Sequence, residues 1–432
     1  MDIRNHYRYV VPTVAILLSA IVGITSAAPN PSTVRVSTTT LPLAAGDTAY
    51  ITCAGQVVIV PYADHIVVGC NPTTTDPTAT ATPAETSAPS TPTTPASTST
   101  PTTSASTPTT GGGGGGALLM SSSSIAAIPM SGSGWSALSS AASGSWGSPK
   151  LADLNSNHDQ YTFAGALYYA RTGDSAMRAK VASAILSAIG TESGSRSLEV
   201  SRNIVGYVLA ADLIGFRSFK PADESRFRSW LAGLRTQSFD GRTIVDTHEE
   251  RPNNWGTMAG AARVAIDRYL GDSADLARAW AVFQGWAGDR SAYAGFDYGD
   301  TSWQCDPAKP VGINPAGCSK SGHDIGGVLP DDQRRSGSFS WPPPCAGYVH
   351  EGLQGAIVQA LLLQQGGYPA FATSNRAILR SYQWLYANGC PASGDDRPYP
   401  FIVNRFYGSS FPTDSGATIG KNFGWSSWLF AR

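Results

Sequence analysis

Arg171-Thr172-Gly173-Asp174-Ser175 and, 98 residues further on, Tyr269-Leu270-Gly271-Asp272-Ser273 are the stretches on which the fold turns. Each places a glycine where a helix end wants a left-handed residue, then Asp-Ser where the next helix wants an N-cap. Around them the apolar residues repeat at helical spacing: Met177, Val181, Ile185 and Ile189; Phe227, Leu231 and Leu234; Leu276, Trp280 and Phe283; Leu353, Ile357 and Leu361. About eight helices are predicted between Asp159 and Asn388, joined in pairs by short turns. Serial helix hairpins without strands predict an all-α fold, an incomplete (α/α) toroid whose inner helices line a central cleft. A plain irregular bundle is the alternative.

This body, expected over residues 117–432, is preceded by segments of different composition. Arg4 and Arg8, an apolar run from Val10 to Ile24 and the small residues Ser26-Ala27-Ala28 read as a signal peptide, residues 1–28. No second long apolar run follows, so the mature chain is expected outside the cell, free of the membrane and acting as a monomer. Residues 29–70 alternate apolar and polar positions around Tyr50–Cys53 and Gln56–Val60, which predicts a small β segment stapled by a Cys53–Cys70 disulfide. It is read as a spacer, with binding to cell-wall polymer as the alternative. Residues 71–116 are Thr/Ser/Pro-rich and end in six glycines; they cannot bury enough apolar surface to fold and suit an O-glycosylated linker.

Six cysteines without Cys-x-x-Cys or His-rich spacing point to disulfides rather than a zinc or redox site. Among Cys305, Cys318, Cys345 and Cys390 three pairings remain open. A net charge of −1 leaves no global basic footprint for nucleic acid. After Arg290 the helical pattern lapses for a long stretch, in which the cysteines argue for an ordered, functional loop. Beyond Cys390 the tail, with Phe401-Ile402-Val403, is expected to be irregular and to pack over the body.

Only 14% of the chain is charged, yet two segments gather polar chemistry. One is His248-Glu249-Glu250-Arg251-Pro252-Asn253-Asn254-Trp255, opening a small-residue helix. The other runs from Leu329-Pro330-Asp331-Asp332-Gln333-Arg334-Arg335 through a Pro-rich stretch to Tyr348-Val349-His350-Glu351, opening another. Asn253 fits a simple cap; two asparagines beside an indole point instead into a sugar-binding cleft.

This order of Asn-Asn-Trp at a helix start, Leu-Pro with arginines and a helix-opening tyrosine resembles the alginate-lyase-like polysaccharide lyases of the helical-toroid type, over roughly residues 150–390. The resemblance implies β-elimination on an anionic uronate polymer, alginate or glucuronan, with no metal or cofactor. A uronate C5–H is acidic only when its carboxylate is neutralised, so guanidinium and amide donors must surround that group. Asn254 and Arg335, with Arg334 and Asn253 beside them, are assigned there. Tyr348 matches the family's active tyrosine and would take the proton and return it to the leaving oxygen. Tyr293 and Tyr298 are the fallback.

Two departures stand out. Trp255 replaces the family's histidine, so His248 or His350 is expected to supply an imidazole. The gap from Arg335 to Tyr348 is widened by Trp341-Pro342-Pro343-Pro344-Cys345. Arg202 and His158 are candidate substrate-binding groups, with Glu199 or Asp212 as alternative partners for Arg202. Trp255, Trp303 and Trp341 are candidate stacking platforms. A hydrolase would need two flanking carboxylates, for which Asp331/Asp332, Asp395/Asp396, Glu250 and Glu351 are available. A non-catalytic wall protein is the remaining reading.

Overall fold

The computed structural model describes residues 48–51, 57–60, 117–416 and 419–431. The expected signal peptide, the Cys53–Cys70 bridge and the linker lie outside them. The chain divides between Thr103 and Ser104 into two units. In the first, strands β1 (Thr48–Ile51) and β2 (Val57–Val60) pair antiparallel, with Thr48 opposite Val60 and Ile51 opposite Val57.

The second unit is helical. In chain order it holds α1 (Ser122–Ala126), α2 (Gly132–Ser143), α3 (His158–Thr172), α4 (Ser175–Ala188), α5 (Ser197–Leu213), α6 (Phe216–Phe219), α7 (Pro221–Leu234), α8 (Ile244–Glu250), α9 (Asn254–Leu270) and α10 (Ser273–Trp286). There follow a two-residue hairpin, β3 (Ser319–Lys320) with β4 (His323–Asp324), and α11 (Pro330–Gln333), α12 (Gly347–Gln365), α13 (Thr373–Ala387), α14 (Tyr399–Tyr407) and α15 (Ser426–Leu429). The two Gly-Asp-Ser turns behave as their chemistry requires. Gly173 and Gly271 take left-handed φ of 76° and 75° at the ends of α3 and α9. Asp174 then accepts the backbone N–H groups of Ala176 and Met177, and Asp272 that of Asp275, starting α4 and α10. The Phe401–Val403 stretch departs from expectation: it lies buried inside helix α14, with Pro400 in the first turn where its missing N–H costs nothing.

The helices sort into two kinds. Helices α5, α9 and α12 are buried on nearly every side, whereas α4, α7 and α10 bury one stripe and expose the rest. A helix apolar all round must have neighbours all round. Accordingly α5 packs between α3 and α9, and α9 between α5 and α12, while α8 and α10 cover α9 from outside. At the α9–α12 crossing the two backbones come close together. A Cβ on Gly355 would lie 2.5 Å from backbone atoms of Thr257 and Met258, so the two helices approach over a bare glycine.

Between α10 and α11 the long loop is ordered by its own side chains. Buried Asn314 accepts from the Cys305 N–H and donates to the Trp303 carbonyl, and buried Gln304 exchanges two hydrogen bonds with Val311. These groups satisfy backbone that no ladder satisfies. The bridges Cys305–Cys318 and Cys345–Cys390 select one of the three open pairings, the second tying the start of α12 to the end of α13. Among the described residues no helix is long and apolar enough to cross a membrane.

Gly355→Ala is expected to destabilise the body by about 1–3 kcal/mol through overpacking. Gly233→Ala, in α7 with open space around its Cβ, is expected to be neutral or to stabilise by about 0.5–1 kcal/mol. Denaturant unfolding of both variants checks the pair; equal effects would contradict the tight crossing.

Candidate active site

The tight crossing sets the first turn of α12 beside the N-terminus of α9, and both polar segments converge there. Their joint is a double clasp. Asp331 and Asp332, in α11, grip the two asparagines that lie 78 residues earlier. Asp331 Oδ2 accepts from Asn253 Nδ2 at 2.9 Å, and Asp332 Oδ1 accepts the Asn254 backbone N–H at 3.0 Å. Asp331 also takes Arg334 Nε at 2.7 Å and the Gly299 N–H at 3.2 Å. Asn253 still performs its cap, accepting the Trp255 N–H at 3.1 Å. A carboxyl oxygen there satisfies an N–H at the helix start that no turn of the helix satisfies.

With its backbone pinned, Asn254 presents its amide in one direction. Arg335 donates to Oδ1 at 3.1 Å, and Nδ2 donates to Glu351 Oε2 at 2.7 Å. The same Glu351 oxygen accepts from Arg202 at 2.5 Å. Arg335 also lies flat on the Tyr348 ring, 3.4 Å from its centroid, a cation–π contact. Five side chains from α5, α9, the turn after α11 and α12 thus form one connected set: Arg202, Glu351, Asn254, Arg335 and Tyr348. Arg335 is exposed and Tyr348 and Glu351 half-buried, so the set faces solvent. Arg202 is buried, pairs with Glu351 rather than Glu199 or Asp212, and rests Nε on Met258 Sδ. Arg334 serves Asp331 beside this set.

The histidines are placed elsewhere. His248 is fully buried, with Nε2 3.0 Å from Gln359 Nε2 and Nδ1 3.5 Å from Arg263; burial and the Arg263 charge hold its pKa well below the usual value. His350 turns into the core against Tyr382, with Nε2 3.0 Å from the Cys390 carbonyl, and burial lowers its pKa. His158 sits edge-on to Trp146, 2.7 Å from the Tyr207 hydroxyl, and burial brings it to about 4. None of the three joins the cluster by a contact. Each is held neutral, as an unpaired buried imidazole must be. They are corrections to the sequence reading: a helix start at His158, or a spacing of two from Tyr348, says nothing about which way a side chain turns.

The remaining aromatics divide. Trp303 is wholly buried, its indole N–H donating to the Gly337 carbonyl, and cannot stack on a ligand. Trp341 is 39% exposed and stacks on His323. Trp255 is half-buried against Leu154, Leu198 and Met258, with Arg196 5.4 Å from its ring. The same Arg196 lines a depression of about 430 Å³ with Glu199, Ser195, Gly194, Ala152 and Asp240, none of them in the cluster. Tyr293 donates its hydroxyl to the Glu249 carbonyl at 2.6 Å, and burial raises the pKa of Tyr298. Neither fallback tyrosine is as well placed as Tyr348.

Sequence reading passed over Glu351 as a partner of Arg202 and Asn254, and treated Asp331 and Asp332 only as free acids. Asp332 is fully buried, and burial raises its pKa well above the carboxylate range; its Oδ2 has no partner and abuts Gly352. Deeper on α12, Gln354 Nε2 donates to Asp396 Oδ1 at 2.5 Å; burial, then the charges of Asp395 and Glu351, push Asp396 to about 8. Among the described residues no group of three or more His, Cys, Asp or Glu is arranged to hold a metal ion.

Comparison with family models, curated proteins and solved structures finds no match.

The buried acids fix a pH dependence. Asp396 and Asp159, the latter raised by burial to about 7, keep protons in the folded chain that the unfolded chain releases near pH 4. Their stabilising contribution is therefore full below about pH 4 and is lost as pH rises through 7 to 8. Asp396→Asn keeps an acceptor for Gln354 without the titration. It is expected to flatten the fall of the unfolding temperature between about pH 5 and 9; an unchanged slope would contradict the assignment.

Proposed function

We propose that this chain is a secreted polysaccharide lyase cleaving a uronate-containing polymer by β-elimination, on helix pairs arranged as an incomplete toroid. The observation that carries the reading is the stacked and hydrogen-bonded set Tyr348–Arg335–Asn254, reached by Arg202 from a third helix. Two guanidiniums and an amide beside a phenol are what C5 proton abstraction next to a carboxylate demands.

In this reading Arg335 and Asn254, with Arg202 behind them, receive the uronate carboxylate and offset the charge that develops on it as C5 loses its proton. The Tyr348 oxygen accepts that proton. The C5–H electron pair becomes the C4–C5 double bond, the C4–O bond breaks, and the proton passes from Tyr348 to the departing oxygen, so the balance closes without a co-reactant. Arg335 over the ring offsets negative charge while the phenol is in its proton-deficient form. No imidazole is needed, which fits a chain whose position after Asn-Asn is Trp255. Trp341 and Trp255 are proposed to stack against sugars further along the polymer. The bridged cysteines and the tail of Ser, Thr and Pro before the body support secretion and a tethered module, free of membrane and of nucleic acid.

A second reading is favoured by one observation. Glu351 and Asp396 interact electrostatically, and burial raises Asp396 to about 8, so two acids, one of them held protonated, stand near each other as in a glycoside hydrolase. Asp396 is 8% exposed and holds Gln354, which argues for a structural acid.

Incubation with polymannuronate, polyguluronate and polyglucuronate, followed by ultraviolet absorbance of the unsaturated uronate end, tests the lyase reading. Tyr348→Phe is expected to lower turnover by about 10³-fold or more with the fold intact, and Arg335→Lys to reduce kcat/KM by about 10–100-fold, because an ammonium cannot serve the ring, the amide and a carboxylate at once. New reducing ends without the absorbance would overturn elimination.

A further inference from the structure

Glu351 makes contacts that look like those of a ligand. A single oxygen, Oε2, takes a hydrogen bond from the Arg202 guanidinium at 2.5 Å and another from the Asn254 amide at 2.7 Å. These are donors that the proposed reaction assigns to the uronate carboxylate. Arg202 is 5% exposed, whereas Glu351 is 31% exposed and stands in the first turn of α12, where a rotation about χ1 carries its carboxylate into solvent.

We infer that Glu351 is a specificity-determining residue: its carboxylate occupies the place of the substrate's uronate carboxylate, and it yields that place only to another carboxylate. The inference rests on the lyase reading and deepens it by naming what admits the substrate.

The argument is one of donor economy and charge. Arg202 and the Asn254 amide are buried, and buried donors without acceptors are costly. A neutral sugar that pushed Glu351 aside would strand them, whereas a uronate replaces the lost acceptor with an equivalent one. Charge favours the same exchange. Arg334 is neutralised by Asp331, and burial favours the proton-bearing form of Asp332. Arg202, Arg335 and Glu351 remain, two cations against one anion, leaving room for one further carboxylate. Glu351 swung into water costs little, because a solvated carboxylate needs no partner. An internal acid of this kind also keeps the two asparagine-bound arms in order between turnovers, so that the donors are pre-organised when a chain arrives.

Such a residue imposes a population tax, since the apparent affinity is reduced by the fraction of molecules in which the place is already taken. The experiment is calorimetric titration of trimannuronate and triglucuronate into the full chain carrying Tyr348→Phe, which prevents turnover, with and without Glu351→Gln or Glu351→Asp. Aspartate keeps the charge but is one methylene too short to bridge both donors. Both substitutions are expected to tighten uronate binding by about 5–10-fold, while mannotriose and cellotriose gain nothing. Equal or weaker uronate binding in both variants would overturn the inference and leave the lyase reading standing, as would tightening by Glu351→Gln alone, which is a plain charge effect. No uronate binding by any of the three proteins would overturn the lyase reading and the inference with it.

Discussion

Two adjacent carboxyl groups holding two adjacent asparagines is the constraint on which the rest of the site depends. Asp331 and Asp332 leave the long loop at the first turn of a four-residue helix, and Asn253 and Asn254 enter α9. Because each acid takes a different atom, one a side-chain amide and the other a backbone N–H, the pair fixes both the position and the rotation of the α9 terminus. Both bonds are buried, where an acceptor that a donor needs cannot be replaced by water. Their consequence is directional: the Asn254 amide has only one course left, between Arg335 and Glu351. The loop that carries the acids is in turn held by Asn314, Gln304 and two bridges, so an irregular segment becomes as definite as a helix pair.

The helical body was legible for a physical reason. The Gly-Asp-Ser turns combine a residue that tolerates φ near 75° with one that accepts N–H groups, local chemistry that needs no partner distant in sequence. The four-residue apolar steps likewise name the buried stripes directly. That the Asn253-Asn254 segment and the Arg334-Arg335 to Tyr348 segment carry the polar chemistry was legible from their composition, and the structure brings side chains of both together. Orientation was not. Whether His350 turns toward Tyr348 or toward Cys390 depends on the 3.6-residue rotation of α12 against neighbours that are remote in sequence. The Glu351–Arg202 pair spans 149 residues, and nothing local marks it. The helix at Tyr399–Tyr407, with Pro400 in its first turn, was hidden by its aromatics, which read as irregular packing although Phe401, Ile402 and Val403 are buried within one helix.

The body also concentrates buried acids that stay protonated and buried imidazoles that stay neutral. Both follow from one cost, the desolvation of charge, which is met by pairing where a partner exists and by neutralisation where none does. Arg263 illustrates the first course, flanked by Asp275 and Glu249, and Asp396 the second, with uncharged hydrogen-bond partners, Gln354 among them. The set around Tyr348 differs from both: Arg335 is exposed, Tyr348 and Glu351 are half-buried, and Arg202 and Asn254 lie buried behind them.

The most direct test of the central claim is the mass of the oligosaccharides released from a pure polyuronate. Elimination at C4 forms a double bond and adds no water. The account predicts that every new non-reducing end is lighter by one water than the corresponding saturated oligomer, and that these ends disappear with Tyr348→Phe. Saturated ends of full mass would mean that water attacks the bond, and would contradict the assignment of Tyr348, Asn254 and Arg335 to proton transfer and carboxylate neutralisation.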